Sequence, residues 1–200
     1  MKRSLKVRSY VVAKLLYTLY TDSKISASQF EGVSIDPVNS RWSCPPLGYR
    51  KLNVDGGFKD GQGAFGEVLR DEKGNWLWGI RGRSLARDSL HAEILALKMG
   101  LQALRLKEEG RVIIETDSSN LVNLIHDMLD DEHPWARLLK DCRSLLANIL
   151  FSTICFVPRT CNSCAHLLAQ SGYNQDRNAC FWIDVIPNDV TNVLLNDMIM

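Results

Sequence analysis

Residues 51–57 read KLNVDGG, and the fold turns on this run. Leu52 and Val54 fall on one side of an extended chain and Lys51, Asn53 and Asp55 on the other, which is the period of a β-strand. Gly56 and Gly57 are expected to stop it. A second strand is expected over 63–70, and the polar turn Asp71-Glu72-Lys73-Gly74-Asn75 leads into a third over 76–83. Loops this short join antiparallel neighbours. The period then changes. Leu90, Ile94, Leu97, Leu101 and Leu104 are spaced 4, 3, 4 and 3, which predicts an amphipathic helix from Ser89 to Glu108, capped by Asp88 or Ser89 and ended by Gly110. A strand over 111–116, a helix capped by Asp117 and Ser118 and running to Leu129, a helix over 134–150, a strand over 151–157 and a helix over 162–171 follow. Hairpin strands succeeded by alternating helices and strands specify an α/β domain with a mixed sheet.

The rest of the chain is read by composition. Two hundred residues, 46% hydrophobic and 24% charged, suit one globular domain with extra chain at an end. A formal net charge of +1 gives no general electrostatic case for a nucleic-acid partner, so such a case must rest on local features. Residues 1–21 are basic, lack Asp and Glu, and place Leu5, Val12, Leu15, Leu16 and Leu19 at roughly helical spacing. They read as a remnant of an upstream region, with an organelle transit peptide as the alternative. Pro37 and Pro45-Pro46 mark Thr21 to Pro46 as linker. The expected division is an extension and linker over 1–47, the domain over 48–174 and a tail over 175–200. Six cysteines without a secretory signal are expected to be reduced thiols of an intracellular protein, in nucleus or cytoplasm. No apolar run approaches the roughly 20 residues of a membrane-spanning helix.

Asp55 and Asp117 each close an expected strand, and parallel neighbours would bring both to one sheet edge, where open α/β sheets bind ligands. Glu93 lies on the margin of the buried face of its helix. Carboxylates so placed need a cation or hydrogen bonds, since desolvation and repulsion would otherwise protonate them. A divalent ion with hard oxygen ligands relieves this, and three convergent acids suit phosphodiester hydrolysis. Taken singly, each acid also has a plain reading: a turn residue, a first-turn helix acid and an N-cap.

The strings KLNVDGG (51–57), AFGEVLRDEKGNWLWG (64–79), SLHAEILALKMGLQAL (89–104), VIIETDSSNLV (112–122) and FVPRTCNSCAHLLAQSG (156–172) change that balance. In order, over residues 42–185, they resemble the ribonuclease H-like domain of non-LTR retroelement reverse transcriptases, especially the type common in plants. The resemblance implies a five-stranded mixed sheet flanked by helices. It implies a metal-dependent endonuclease that cuts the RNA strand of RNA–DNA hybrids, recognised by 2′-hydroxyls and backbone shape. It implies two magnesium ions, for which manganese can substitute, with Asp55 bridging both and Glu93 and Asp117 holding the one on the leaving-group side. His166 falls where active relatives usually carry a fourth acid, and an imidazole suits magnesium poorly. Phe156 stands where many relatives have a His that assists turnover, and Thr160 replaces a usual Glu. Arg159, Asn162 and Ser118 are the expected substrate contacts.

The altered positions 156, 160 and 166 motivate a second reading, a retroelement-derived domain that binds nucleic acid or protein without cutting. Cys161 and Cys164 form a CxxC near His166 and Cys180, but the spacing lacks the second ligand pair of a zinc site. Arg81, Arg83 and Arg87 offer a small positive cluster, whereas Asp127, Asp130, Asp131 and Glu132 would repel phosphate, so hybrid binding is expected to be weak and salt-dependent. Trp76, Trp78 and Trp182 are expected to pack.

Overall fold

The computed structural model describes residues 41–127, 132–176 and 180–198. The chain runs β1 (Arg50–Lys59), β2 (Gln62–Arg70), β3 (Trp76–Ser84), α1 (Ser89–Leu106), β4 (Val112–Thr116), α2 (Ser119–His126) and α3 (Ala136–Leu146). It continues through β5 (Thr153–Phe156), a 3-10 turn (Arg159–Cys161), α4 (Ser163–Gly172), β6 (Cys180–Ile183) and α5 (Asn188–Met198). The strands form one mixed sheet in the order β5-β4-β1-β2-β3-β6, parallel at β5-β4 and β4-β1 and antiparallel elsewhere. No helix among the described residues is long and apolar enough to cross a membrane.

Alternation in β1 sorts its side chains as expected. Leu52 and Val54 enter the main core with Ile94, Leu97, Leu101 and Leu104 of α1, Ile114 of β4, Leu121 of α2 and Leu139 of α3. Burying each such side chain contributes about 1.5–3 kcal/mol, which fixes α1 across the sheet. A smaller cluster on the opposite face joins Val68 of β2 to Cys164 and Leu168 of α4 and to Val190 and Leu194 of α5.

The structure departs from the sequence reading in several places. The sheet has six strands, because Cys180–Ile183 adds to the edge of β3, and α5 then buries Val190 and Leu194; residues assigned to a tail thus pack on the domain. Trp42, assigned to the linker, is likewise buried. Gly56 and Gly57 do not stop β1; the chain reverses at Asp60 and Gly61, whose φ values of 51° and 74° make the two-residue turn that matches strand twist. Helix α1 ends before Gly110. Glu108 takes the left-handed conformation, and its N–H and that of Glu109 close back on Arg105 and Leu104. The expected 134–150 helix stops at Leu146, after which Asn148 and Ile149 tighten into i→i−3 turns. The end of the helix expected to reach Leu129 lies outside the described residues, as do Asp130 and Asp131.

Candidate metal centre

The parallel pairing of β1 with β4 runs from Arg50↔Val112 to Asn53↔Glu115, so Asp55 and Asp117 each stand just past its last pair. Between these strands the chain order of the sheet reverses, the position at which open α/β sheets open a crevice. Two glycines let helices close on it. A Cβ on Gly56 would sit 2.3 Å from the backbone of Ala92, so only glycine lets α1 press on β1 and deliver Glu93. On the other face a Cβ on Gly66, the cross-strand partner of Asp55, would meet Ala165 O at 2.3 Å and Ala169 N at 2.2 Å, and its lack brings α4 down with His166.

Asp55, Glu93 and Asp117 each offer a carboxylate oxygen, and these oxygens lie within 4.8 Å of one another. Three like charges so close cannot all persist in a buried place. Burial, with the added charges of Asp55 and Asp117, pushes Glu93 up to about 9, although its Oε2 accepts a 3.1 Å hydrogen bond from Gly56 N–H. Burial also raises Asp55; His166 opposes this and Asp117 adds to it. Asp117 goes the other way. Burial alone would raise it, but hydrogen bonds from Arg159 and Asn162 and the Arg159 charge bring it below the usual range. The donor set is all hard oxygen, and its repulsion is the kind a divalent cation removes, so the residues fit a magnesium-type ion.

Arg159 Nε donates to Asp117 Oδ2 at 2.7 Å, and Asn162 Nδ2 donates to Asp117 Oδ1 at 3.0 Å and to Val54 O at 2.9 Å. Asn162, an expected substrate contact, is fully buried and locks the Asp117 carboxylate to β1. Ser118, another expected contact, caps α2 by accepting from Leu121 N–H at 3.3 Å. His166 Nδ1 lies 3.2 Å from Asp55 Oδ2, and the Gln170 amide nitrogen faces His166 Nε2 at 3.0 Å. An amide NH2 can only donate, so this contact makes Nε2 the acceptor and leaves Nδ1 turned toward Asp55. The imidazole thus orients a carboxylate where relatives usually supply another acid. Phe156 ends β5 with 47% of its surface exposed, so an aromatic ring fronts the altered lobe.

Asp55, Glu93, Arg159, His166 and Gln170 line a groove of about 730 Å³ with Lys59, Gln62, Ser89 and Tyr173. The sequence reading missed Gln170 and Tyr173, although His166, Gln170 and Tyr173 are spaced i, i+4, i+7 and so share one face of α4. The Tyr173 hydroxyl fills the space beside Gly57, where a Cβ would come within 2.5 Å of it. The expected positive cluster is partly spent on neighbours: Arg81 bonds Ser171 and pairs with Asp189, and Arg83 bonds Gln62. Cys161 and Cys164 are buried, and among the described residues the three acids are the group that could hold a metal ion. Trp76 and Trp78 pack as expected, Trp76 also donating to Ile183 O, while Trp182 meets Trp78 edge-on at 5.4 Å and stays 42% exposed.

The fold has close counterparts among solved structures. Ribonuclease H1 from the halophilic archaeon Halobacterium salinarum NRC-1 superposes with a TM-score of 0.59 at 23% identity, covering 64% of this chain and 98% of that chain. LC11-RNase H1, isolated from compost by a metagenomic approach and solved with an RNA/DNA hybrid, gives 0.57 at 20% identity over 62% of this chain and 96% of that one. The foamy viral protease–reverse transcriptase in complex with an RNA/DNA hybrid gives 0.53 at 15% identity, covering 71% of this chain and 22% of that chain. Likeness at these identities establishes the fold. No curated protein sequence matches significantly. The reverse transcriptase-like family model matches residues 53–172, the span that runs from β1 to the end of α4 and holds every acid of the cluster, and the chain therefore belongs to that family, as a ribonuclease H-like domain of retroelement type.

Proposed function

We propose that this domain binds RNA–DNA hybrids and hydrolyses the RNA strand with magnesium, for which manganese can substitute. One observation carries the reading: three carboxylates converge within 4.8 Å, at a cost visible in the rise of Glu93 to about 9. The hybrids bound by LC11-RNase H1 and by the foamy viral enzyme support the choice of substrate. A divalent ion bound there supplies Lewis-acid activation of water and relief of charge on the leaving oxygen. The chain's own residues do the rest. Asp55, Glu93 and Asp117 would hold the ions, Asn162 fixes the Asp117 carboxylate, His166 fixes that of Asp55, and the groove admits a sugar-phosphate strand. The expected products carry a 5′-phosphate and a 3′-hydroxyl.

The test is cleavage of a labelled hybrid in magnesium or manganese by wild type and Asp55→Asn. The variant is expected to lose activity by at least about 10²–10³-fold, as when a charge-stabilising group is removed; equal cleavage by the two proteins refutes the proposal. A second reading, a binding domain without catalysis, is favoured by the His166–Asp55 contact, which puts an imidazole in the fourth acid's place. His166→Asp separates the two. An inert wild type whose activity appears in the variant locates the defect at this position, whereas cleavage by wild type at millimolar-order magnesium removes the second reading.

A further inference from the structure

Arg159 stands where two ligands of opposite charge would compete for it. Asp117 has a donor on each oxygen, Arg159 Nε on Oδ2 and Asn162 Nδ2 on Oδ1, and the guanidinium offsets one charge of the acidic trio. The partners differ in their surroundings. The Asp117 side chain is 5% exposed and that of Arg159 is 64% exposed. The carboxylate is anchored through Asn162 to β1, whereas the arginine comes from the short turn Arg159–Cys161 and lines the groove. Only Nε is used on Asp117, and among the described residues the two terminal amino groups make no hydrogen bond.

We infer that Arg159 is a shared cation, which neutralises Asp117 in the free protein and passes to a backbone phosphate of the nucleic acid, so that substrate binding uncovers Asp117 for a divalent ion. This rests on the reading of the groove as a hybrid-binding hydrolytic site. A guanidinium pairs with carboxylate and phosphodiester through the same charge-assisted geometry, so exchange between them loses little bonding. A dication at Asp117 stands next to that guanidinium and is repelled by it, and it must also take an oxygen that already accepts a hydrogen bond. Once a phosphodiester lies in the groove, the arginine has another anion and the dication loses its competitor. Metal and hybrid then bind with positive coupling, and linkage makes the coupling reciprocal. The free protein keeps a damped metal site, and the acids take up the ion with substrate at hand.

Manganese titration of the full chain without nucleic acid, followed by electron paramagnetic resonance or calorimetry, tests the competition apart from turnover. Arg159→Gln, at a largely exposed position, is expected to bind manganese roughly fivefold or more tightly than wild type, the lower range of such couplings. In chelator, where no cleavage occurs, the same variant is expected to bind hybrid more weakly, with the salt slope reduced by about one phosphate contact. Manganese affinity that is unchanged or lower in Arg159→Gln overturns the competition, and unchanged hybrid affinity overturns the transfer to phosphate. A wild type that binds neither manganese nor hybrid overturns the hydrolase reading itself, and this inference falls with it.

Discussion

One face of β1 carries Lys51, Asn53 and Asp55 in succession, and the strand thereby joins two buried polar regions of opposite character. At its start lies a balanced one. Lys51 Nζ meets Glu115 at 2.8 Å and Ser43 O at 2.5 Å, and Arg70 meets Asp197 at 2.7 Å and Asn53 Oδ1 at 2.9 Å. Asn53 Nδ2 in turn donates to Glu115 Oε2 at 3.0 Å, and the Trp42 ring lies 3.4 Å from the Arg70 guanidinium. Two cations face two anions, and a side-chain amide links the pairs. Past Asp55 the balance fails, with three acids close together and Arg159 paired with only one of them. The lesson is that burial of charge has two solutions on one strand: internal pairing, which ties the 41–47 segment and α5 to the sheet, and a deficit of positive charge, which a metal ion can make good.

The sharpest break of the balanced region is Arg70→Ala, which leaves Asp197 without its cation and the Asn53 carbonyl without its donor. Removing one member of a buried ion pair costs about 3–5 kcal/mol, and a melting temperature lower by roughly 10 °C or more is expected. The manganese affinity of the folded fraction should be unchanged; a parallel loss of metal binding would show that the two regions are one unit. The opposite result is expected from Glu93→Gln. The folded chain keeps a proton on Glu93 up to about 9, whereas the unfolded chain releases it near the ordinary glutamate value of 4.5. Its contribution is therefore fully present below 4.5 and is lost as pH rises toward 9. Glu93→Gln should stabilise the metal-free protein by about 2 kcal/mol at about pH 8 and by nothing at about pH 4, while weakening manganese binding. Denaturant melts at both pH values decide it, and a variant less stable than wild type at the higher pH contradicts the deficit.

Much of this was legible in the sequence because it is local or periodic. The two-residue period of β1 and the helical spacing from Leu90 to Leu104 placed the main core correctly. The balanced network was not legible. Alternation marks Lys51, Asn53 and Asp55 as sharing a face, yet it does not say whether that face is covered, and Arg70 and Asp197 are 127 residues apart. The sixth strand escaped for a related reason: CFWI is short and largely exposed, so its residues carry no alternating signal, and its place comes from pairing with β3. At the site, Asp55, Glu93 and Asp117 each had an ordinary local reading, and only the order of several motifs joined them. Gly56 was misread because a glycine that permits close approach of α1 has the same sequence signal as one that ends a strand. The structural bonds of Asn162 and Ser118 were not legible, because position in a loop does not reveal that a polar side chain meets the backbone or a carboxylate.

Glu67 gives the finest test of what sets these two regions apart, because it has neither device. It is fully buried in β2 beneath α1, and among the described residues no side chain bonds its carboxyl oxygens and no cation pairs with it. Burial lifts it well above the usual glutamate value and outweighs the opposing backbone at Gly100. The acid is therefore tolerated as a neutral group, and the stability it contributes below its unfolded value is lost as pH rises. Glu67→Gln removes the titration but leaves an amide NH2 unpaired among Leu52 and Val54, whereas Gln at position 93 can still accept from Gly56. The gain should accordingly be smaller, about 1 kcal/mol at about pH 8 and none at about pH 4, with manganese affinity unaltered. A variant with the pH profile of wild type would mean that the Glu67 carboxyl has a partner of its own, such as a buried water, and belongs with the satisfied groups after all.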